Sequence, residues 1–340
     1  MKAAVVQPDR SLRIEEVPTP EASAGSVVVK VAFCGICGSD LHLLEAGFLP
    51  AGCVIGHELS GTVAQVGAGV QGWHEGDAVV VLPMDPCFAC EPCRRGDVQI
   101  CKGGVDRSYG LGTNPGGFSA YMRVRPSMLF RVPPGLGLRE AALNEPWSVA
   151  VHGVNLSGFR MGASAAIMGA GPIGLLTLSA LKAGGAVGIQ VSEPDPFRAG
   201  KARAAGADLV LDPSQGSISA LIQERTGGLP RFVFDCAGTA TSFQEATDIA
   251  DHHGVVTALG VPMGGASLFP ISWFLKELRL AFSFGYSYSE FGSCLKLLAQ
   301  GAVDADLVVS DVMPLAEIDE AFKRLRGSGH SKILIDCQAC

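Results

Sequence analysis

From about Ala163 onward the chain alternates short apolar runs with Ala- and Leu-rich runs. This alternation leaves few architectures open. Ala165-Ala166-Ile167-Met168 is followed by a helix-forming run at 173–182. An apolar run at 187–191 is followed by another helical run at 197–205. Further apolar runs stand at 232–234 and 254–259. Strands buried on both faces read as continuous apolar stretches, and helices between them carry the chain back to the same edge. The pattern predicts a parallel sheet with helices on both faces.

The first strand–helix junction is Gly169-Ala170-Gly171-Pro172-Ile173-Gly174, a G-x-G-x-x-G. In a chain with 44 glycines the pattern alone carries little. Between an apolar strand and a helix-forming run it is a turn where the backbone and a helix N-terminus approach a pyrophosphate. Gly169, Gly171, Ile173 and Gly174 are therefore expected to bind a dinucleotide. Glu193 stands 19 residues after Gly174, at the end of the next apolar run. A carboxylate there accepts hydrogen bonds from the adenosine ribose and repels a 2′-phosphate, which favours NAD over NADP.

The first 145 or so residues read differently. They are rich in Gly, Pro and Val, with short strands expected at 27–32, 61–66 and 78–82. After Gly285 a helix is expected at 289–300 and a strand at 331–337, returning to the first part of the chain. The expected division is a β-rich unit of residues 1–146 and 285–340, and a dinucleotide-binding unit of residues 147–284.

Two groups of residues in the β-rich part have metal-binding character. Cys87, Cys90, Cys93 and Cys101 form C-x2-C-x2-C-x7-C. Four thiolates in one short segment surround a zinc and leave no open position; thiolates also hold iron–sulfur clusters. The second group is scattered. Cys37 lies in Gly35-Ile36-Cys37-Gly38-Ser39-Asp40-Leu41-His42, His57 and Glu58 follow Gly56, and Glu145 stands in Asn144-Glu145-Pro146-Trp147. Together they offer a thiolate, an imidazole and carboxylates, the mixture of a catalytic zinc that keeps room for water or substrate. The chain has 11 cysteines, an odd number, and its N-terminus lacks a basic segment followed by a long apolar stretch. A disulfide framework and a signal peptide are not expected. The net charge is −7, with no long basic block and no apolar run long enough to span a bilayer, so neither nucleic acid nor membrane is the expected partner.

In combination these motifs resemble the medium-chain zinc-dependent alcohol dehydrogenases over essentially the whole chain. Gly56-His57-Glu58-Leu59-Ser60-Gly61, Gly67 and Gly76-Asp77 resemble the family signature, and the quartet has the spacing of its structural zinc. Glu145-Pro146 resembles the sorbitol and polyol dehydrogenase branch. The resemblance implies a Rossmann doubly wound domain joined to a GroES-like β-rich catalytic domain. It implies two zinc ions per chain, one structural and one catalytic. The catalytic zinc is expected on Cys37 and His57 with a carboxylate from Glu58 or Glu145, which exchange roles in relatives. Asp40 resembles the residue that orients the zinc-bound imidazole. Ser39 resembles the hydroxyl that relays the alcohol proton, His42 the group that receives it near solvent, and Arg198 a residue at the adenosine end. The implied activity is hydride transfer between an alcohol and NAD, giving a ketone or aldehyde. The implied setting is cytoplasmic, as a homo-oligomer with a tetramer favoured over a dimer. A non-catalytic zinc- or nucleotide-binding protein is the rival from another class.

The polyol branch carries a Tyr and an Arg-Tyr pair where this chain has Leu43 and Gly285-Tyr286. Losing partners for extra hydroxyls points to an apolar secondary or cyclic alcohol in preference to a sugar alcohol. Trp147, Phe48 and Phe282 are expected to line the pocket.

Overall fold

The computed structural model describes every residue except 112, 262, 263, 266–268 and 340. Cys340 is thus outside the described residues. Among the described residues, six parallel strands run in the order Leu209–Leu211, Ile189–Ser192, Ala165–Met168, Phe232–Asp235, Val255–Ala258 and Arg279–Phe282. The apolar runs are continuous because both faces of this sheet are covered. Ala165 and Ile167 enter the core that holds Leu175, Leu178 and Val154, while Ala166 and Met168 enter the opposite core with Ile218, Ile222 and Ile249. Successive side chains point to opposite faces of a strand, so each strand feeds both cores. The helices Pro172–Ala183 and Pro196–Ala204 lie within a residue of the expected spans.

The other main sheet gathers segments from both ends of the chain. Its order is Val309–Pro314, Lys332–Asp336, Val27–Gly35, Glu58–Val66, Ala78–Val81 and Leu129–Arg131, with Tyr121–Val124 also pairing to Val27–Gly35. Val27, Val29 and Val31 are fully buried in its core beside Val63, Ile333 and Ile335. The strand 58–66 starts three residues earlier than its apolar pattern implies. Its first residue, Glu58, is a buried carboxylate, paired in register with Gly35. A Cβ on Gly35 would lie 2.2 Å from a Glu58 carboxylate oxygen. Glycine there is what lets a carboxyl side chain occupy the buried start of a strand. On the other side of Gly35, Leu334 pairs with it and brings the last strand alongside.

Two helices join the sheets. Asn144–Ser157 puts Trp147, Ala150 and Val154 into the core beneath the parallel sheet, and Tyr288–Ala299 divides its face, with Phe291 and Leu295 on one core and Cys294 and Leu298 on the other. Glu290 ties them. It accepts hydrogen bonds from the Asn155 amide at 2.8 Å and the Ser287 N–H at 2.9 Å, and it lies 2.8 Å from His152 Nδ1. Burial raises its pKa, but His152, Asn155 and the Ser287 N–H outweigh burial and hold it at about 2, below an ordinary 4.5. A depressed carboxylate stabilises the fold above its ordinary pKa, and the gain is lost as pH falls towards the folded value. Glu290→Gln is expected to lower the urea midpoint at pH 7, by a loss of about 1 kcal/mol. Its deficit against wild type should shrink between pH 4.5 and about 2. A deficit independent of pH in this window would refute the ionic tie.

Candidate metal and dinucleotide sites

The ligand atoms of Cys87, Cys90, Cys93 and Cys101 all lie within 4.8 Å of one another. Sγ of Cys87 is 3.9 Å from that of Cys93, and Cys90 is 3.9 Å from Cys101. A zinc–sulfur bond of about 2.3 Å in a tetrahedron puts sulfurs about 3.8 Å apart, so the quartet fits one zinc. Backbone amides of Ala89 and Cys90 donate to Cys87 Sγ at 3.4 and 3.2 Å, and that of Cys87 donates to Cys101 Sγ at 3.3 Å. Amides of Cys93 and Lys102 bring the Cys90 thiol down to about 6, whereas burial pushes Cys93 up to about 12. A divalent cation supplies the charge that would let the Cys93 thiol ionise. Asp85 anchors the segment by pairing with Arg107 and Arg125, and Arg107 also reaches Cys101 Sγ at 3.8 Å.

The second donor set forms where the strand Val27–Gly35 ends and the helix Gly38–Ala46 begins. Donor atoms of Cys37, His57 and Glu58 lie within 4.8 Å of one another. Asp40, fully buried, accepts the Cys37 N–H at 2.9 Å. Its other oxygen lies 3.3 Å from His57 Nδ1, within ion-pair range but off the hydrogen-bond line. With Nδ1 turned to Asp40, the other ring nitrogen is left for a metal. Burial disfavours the imidazolium, but the Asp40 carboxylate and Cys37 outweigh it and raise His57 well above its usual pKa. The same electron donation makes the ring a better metal donor.

The two carboxylates have different partners. Glu58 receives the Lys332 ammonium at 2.7 Å on each oxygen, and Lys332 also donates to the Ile36 carbonyl at 2.8 Å. Burial disfavours the charged form of Lys332, yet Glu58 and Cys37 raise its pKa overall, so it remains a cation. Glu145 instead accepts one hydrogen bond, from the buried Tyr286 hydroxyl, at 2.9 Å. Burial is the main force that pushes Glu145 up to about 7; His57 opposes the shift. A thiol, an imidazole and a carboxylate converging in this way suit a zinc ion held by three protein ligands.

In the dinucleotide turn, Gly169 has φ 91°. A Cβ on Gly174 would lie 2.0 Å from the Gly169 carbonyl oxygen, so the turn can close onto its helix only with glycine at 174. Gly171 caps Pro172–Ala183, with Ile173 in the first turn. Glu193 closes onto this turn: one oxygen accepts the Ala170 N–H at 2.7 Å and the other the Asp195 N–H at 2.8 Å. Arg198 lies on the next helix, and its Nε is buried with no hydrogen-bond partner among the described residues.

Of the remaining expected residues, Ser39 is half-buried and His42 exposed on the helix after Cys37. The pocket expectation needs correction at Trp147. Trp147 is wholly buried in the core beneath the parallel sheet, because its helix turns that face to the sheet. Phe282 is 66% exposed on the edge strand, stacked on Phe243 at 5.9 Å, and Phe48 is 70% exposed. The sequence reading missed Lys332 and the role of Tyr286 as partner of Glu145. For Lys332 there was a signal, a lysine opening the apolar strand Lys332–Asp336. No helix is long and apolar enough to cross a membrane among the described residues.

Comparison with known proteins agrees with this geometry. Residues 23–134 match the family model of the alcohol dehydrogenase GroES-like domain, and residues 172–300 that of the zinc-binding dehydrogenases. The chain is 34% identical to 2-dehydro-3-deoxy-L-galactonate 5-dehydrogenase of Pseudoalteromonas atlantica, covering 100% of this chain and 99% of the relative. It is 35% identical to (R,R)-butanediol dehydrogenase of Bacillus subtilis strain 168, covering 98% and 99%. A solved structure described as a zinc-binding dehydrogenase from Sinorhizobium meliloti 1021, bound to NADP, superposes with TM-score 0.92 at 31% identity over 98% of each chain. The chain therefore belongs to the medium-chain zinc-dependent alcohol dehydrogenases, enzymes that interconvert alcohols and carbonyl compounds with a nicotinamide cofactor and zinc.

Proposed function

We propose that this chain is an NAD-dependent dehydrogenase of a secondary, apolar or cyclic alcohol. Its reaction centre is built on Cys37, His57 and a carboxylate from Glu58 or Glu145. The observation that carries the centre is the convergence of Cys37, His57 and Glu58 donor atoms within 4.8 Å, on segments that otherwise build a sheet. When bound there, zinc supplies Lewis acidity towards the alcohol oxygen; NAD supplies the hydride acceptor. Asp40 fixes the His57 ring. Ser39 takes the alcohol proton and His42, exposed one turn on, passes it to water. Gly169, Gly171, Ile173 and Gly174 hold the pyrophosphate, and Glu193 and Arg198 the adenosine ribose. The quartet holds a second zinc that stabilises its segment and does no chemistry. Residues 1–146 with 285–340 form the catalytic unit and 147–284 the nucleotide unit.

The substrate reading rests on two positions. Leu43 is half-buried and offers no hydroxyl. Gly285 has φ 60°, and a Cβ there would meet Gln99 at 3.0 Å and Met84 at 3.4 Å, which disfavours any long cationic side chain. The second reading, a polyol substrate, draws on relatives named as sorbitol and butanediol dehydrogenases. Self-association is supported by the open edge strand Arg279–Phe282 and the adjoining helix Pro270–Lys276, where Ile271, Phe274, Leu275 and Phe282 are exposed. An apolar edge of this kind is ordinarily covered; a second copy covers it and completes a homo-oligomer. The reduced quartet thiols fit a cytoplasmic setting.

Three measurements test the reading. Fully loaded protein is expected to contain two zinc ions per chain; a chelator should strip the open centre first, with loss of turnover, and the quartet later, with loss of stability. Metal analysis at one zinc or fewer per chain refutes the two-site assignment. Wild type should turn over NAD more efficiently than NADP, and Glu193→Ala should narrow that gap; wild type that favours NADP overturns the role of Glu193. With NAD saturating, kcat/KM for cyclohexanol or a medium-chain secondary alcohol should exceed that for sorbitol or xylitol by about one hundredfold, since two unpaired hydroxyls cost roughly 1–3 kcal/mol each. Higher kcat/KM on the polyols favours the second reading.

A further inference from the structure

Lys332 is the one lysine or arginine that is buried among the described residues. It lies inside the open centre, not at its rim. Its Nζ is 2.7 Å from both Glu58 oxygens and 2.8 Å from the Ile36 carbonyl, so all three ammonium protons are used. Glu58, Cys37 and Glu145 are the charges that act on it. The pocket thus gathers a thiol and two carboxyl groups, the carboxyls each at most 9% exposed. Like charges repel strongly where water is excluded. A divalent cation cancels that repulsion while it is bound, but an open site gives up its metal more readily than a closed quartet. Once the metal has left, Lys332 is the cation that stays bonded to Glu58.

We propose that Lys332 is a resident counter-cation of the open centre: it holds the Cys37–Glu58 donors together without metal and competes with the metal for their charge. The inference rests on the open-centre reading above. Lys332 acts through Glu58, as a positioning residue. Its sign separates it from the simpler idea that Lys332 merely aims Glu58 at the metal. A scaffold role makes its removal weaken metal binding, whereas a competing cation makes its removal strengthen it.

The test uses the full chain with the quartet kept loaded and titrates zinc into the open centre against a chelator of known affinity. Lys332→Met keeps the length and removes the charge. It is expected to bind zinc about tenfold more tightly than wild type, or more, one buried unit charge being worth at least that at short range. The rise in Tm on loading the open centre should also be larger in Lys332→Met, because the metal-free variant has lost its counter-cation. Equal or weaker zinc affinity overturns the proposal. A variant that folds only when zinc is supplied supports it. If Lys332→Met folds in neither state, Lys332→Gln is measured and judged by the same affinity rule. Wild type that takes up zinc only at the quartet overturns the open-centre reading itself, which the zinc count reveals separately from the affinity ratio.

Discussion

Three segments far apart in the chain meet on one strand, and the open centre depends on that meeting. Val27–Gly35 pairs with Glu58–Val66 on one side and with Lys332–Asp336 on the other. Its buried valines, each contributing roughly 1.5–3 kcal/mol on burial, favour this register, because a one-residue slip would exchange the two faces and bring Lys30 inwards. Register in turn sets the chemistry. Cys37 follows the end of this strand, Glu58 lies opposite Gly35, and Lys332 arrives two residues before the partner of Gly35. Loss of that alignment would separate donors that no local sequence holds together.

The two candidate metal sites illustrate different physical solutions. The quartet lies in one short segment, so a few turns and amide-to-sulfur hydrogen bonds suffice to converge four thiols, and the segment is anchored through Asp85. The open centre instead draws side chains from a sheet, a helix start and a second helix. Its carboxyls are buried, so each needs a partner. Lys332 satisfies Glu58 with charge and Tyr286 satisfies Glu145 with a neutral hydroxyl. Breaking a buried ion pair costs about 3–5 kcal/mol, and a neutral hydrogen bond nearer 1 kcal/mol. Glu145 is therefore the more readily released of the two carboxylates.

Much of the fold was legible because burial writes itself into periodicity. Ala165–Met168 is apolar at every position because both faces are covered, and its helix and Gly-rich turn followed within a residue or two. The edges were less legible where function overrides pattern. Glu58–Val66 begins on a carboxylate, which no strand propensity favours, and only the glycine opposite makes room for it. Trp147 was misplaced for a related reason: two residues after Glu145, it points elsewhere because residues at that spacing on a helix face different directions.

By itself the sequence determined the parallel nucleotide-binding layout, the Gly-rich turn, the quartet and the residue types of the open centre, since each is local or periodic. Only the tertiary structure decided which distant charges share a buried space. That Lys332 would neutralise Glu58, that Tyr286 would occupy Glu145, and that Glu193 would close on the Ala170 amide are long-range facts. They follow from strand register and helix packing, and the energy that selects them is the cost of leaving a buried polar group unpaired. That cost is invisible along a chain until folding removes the water.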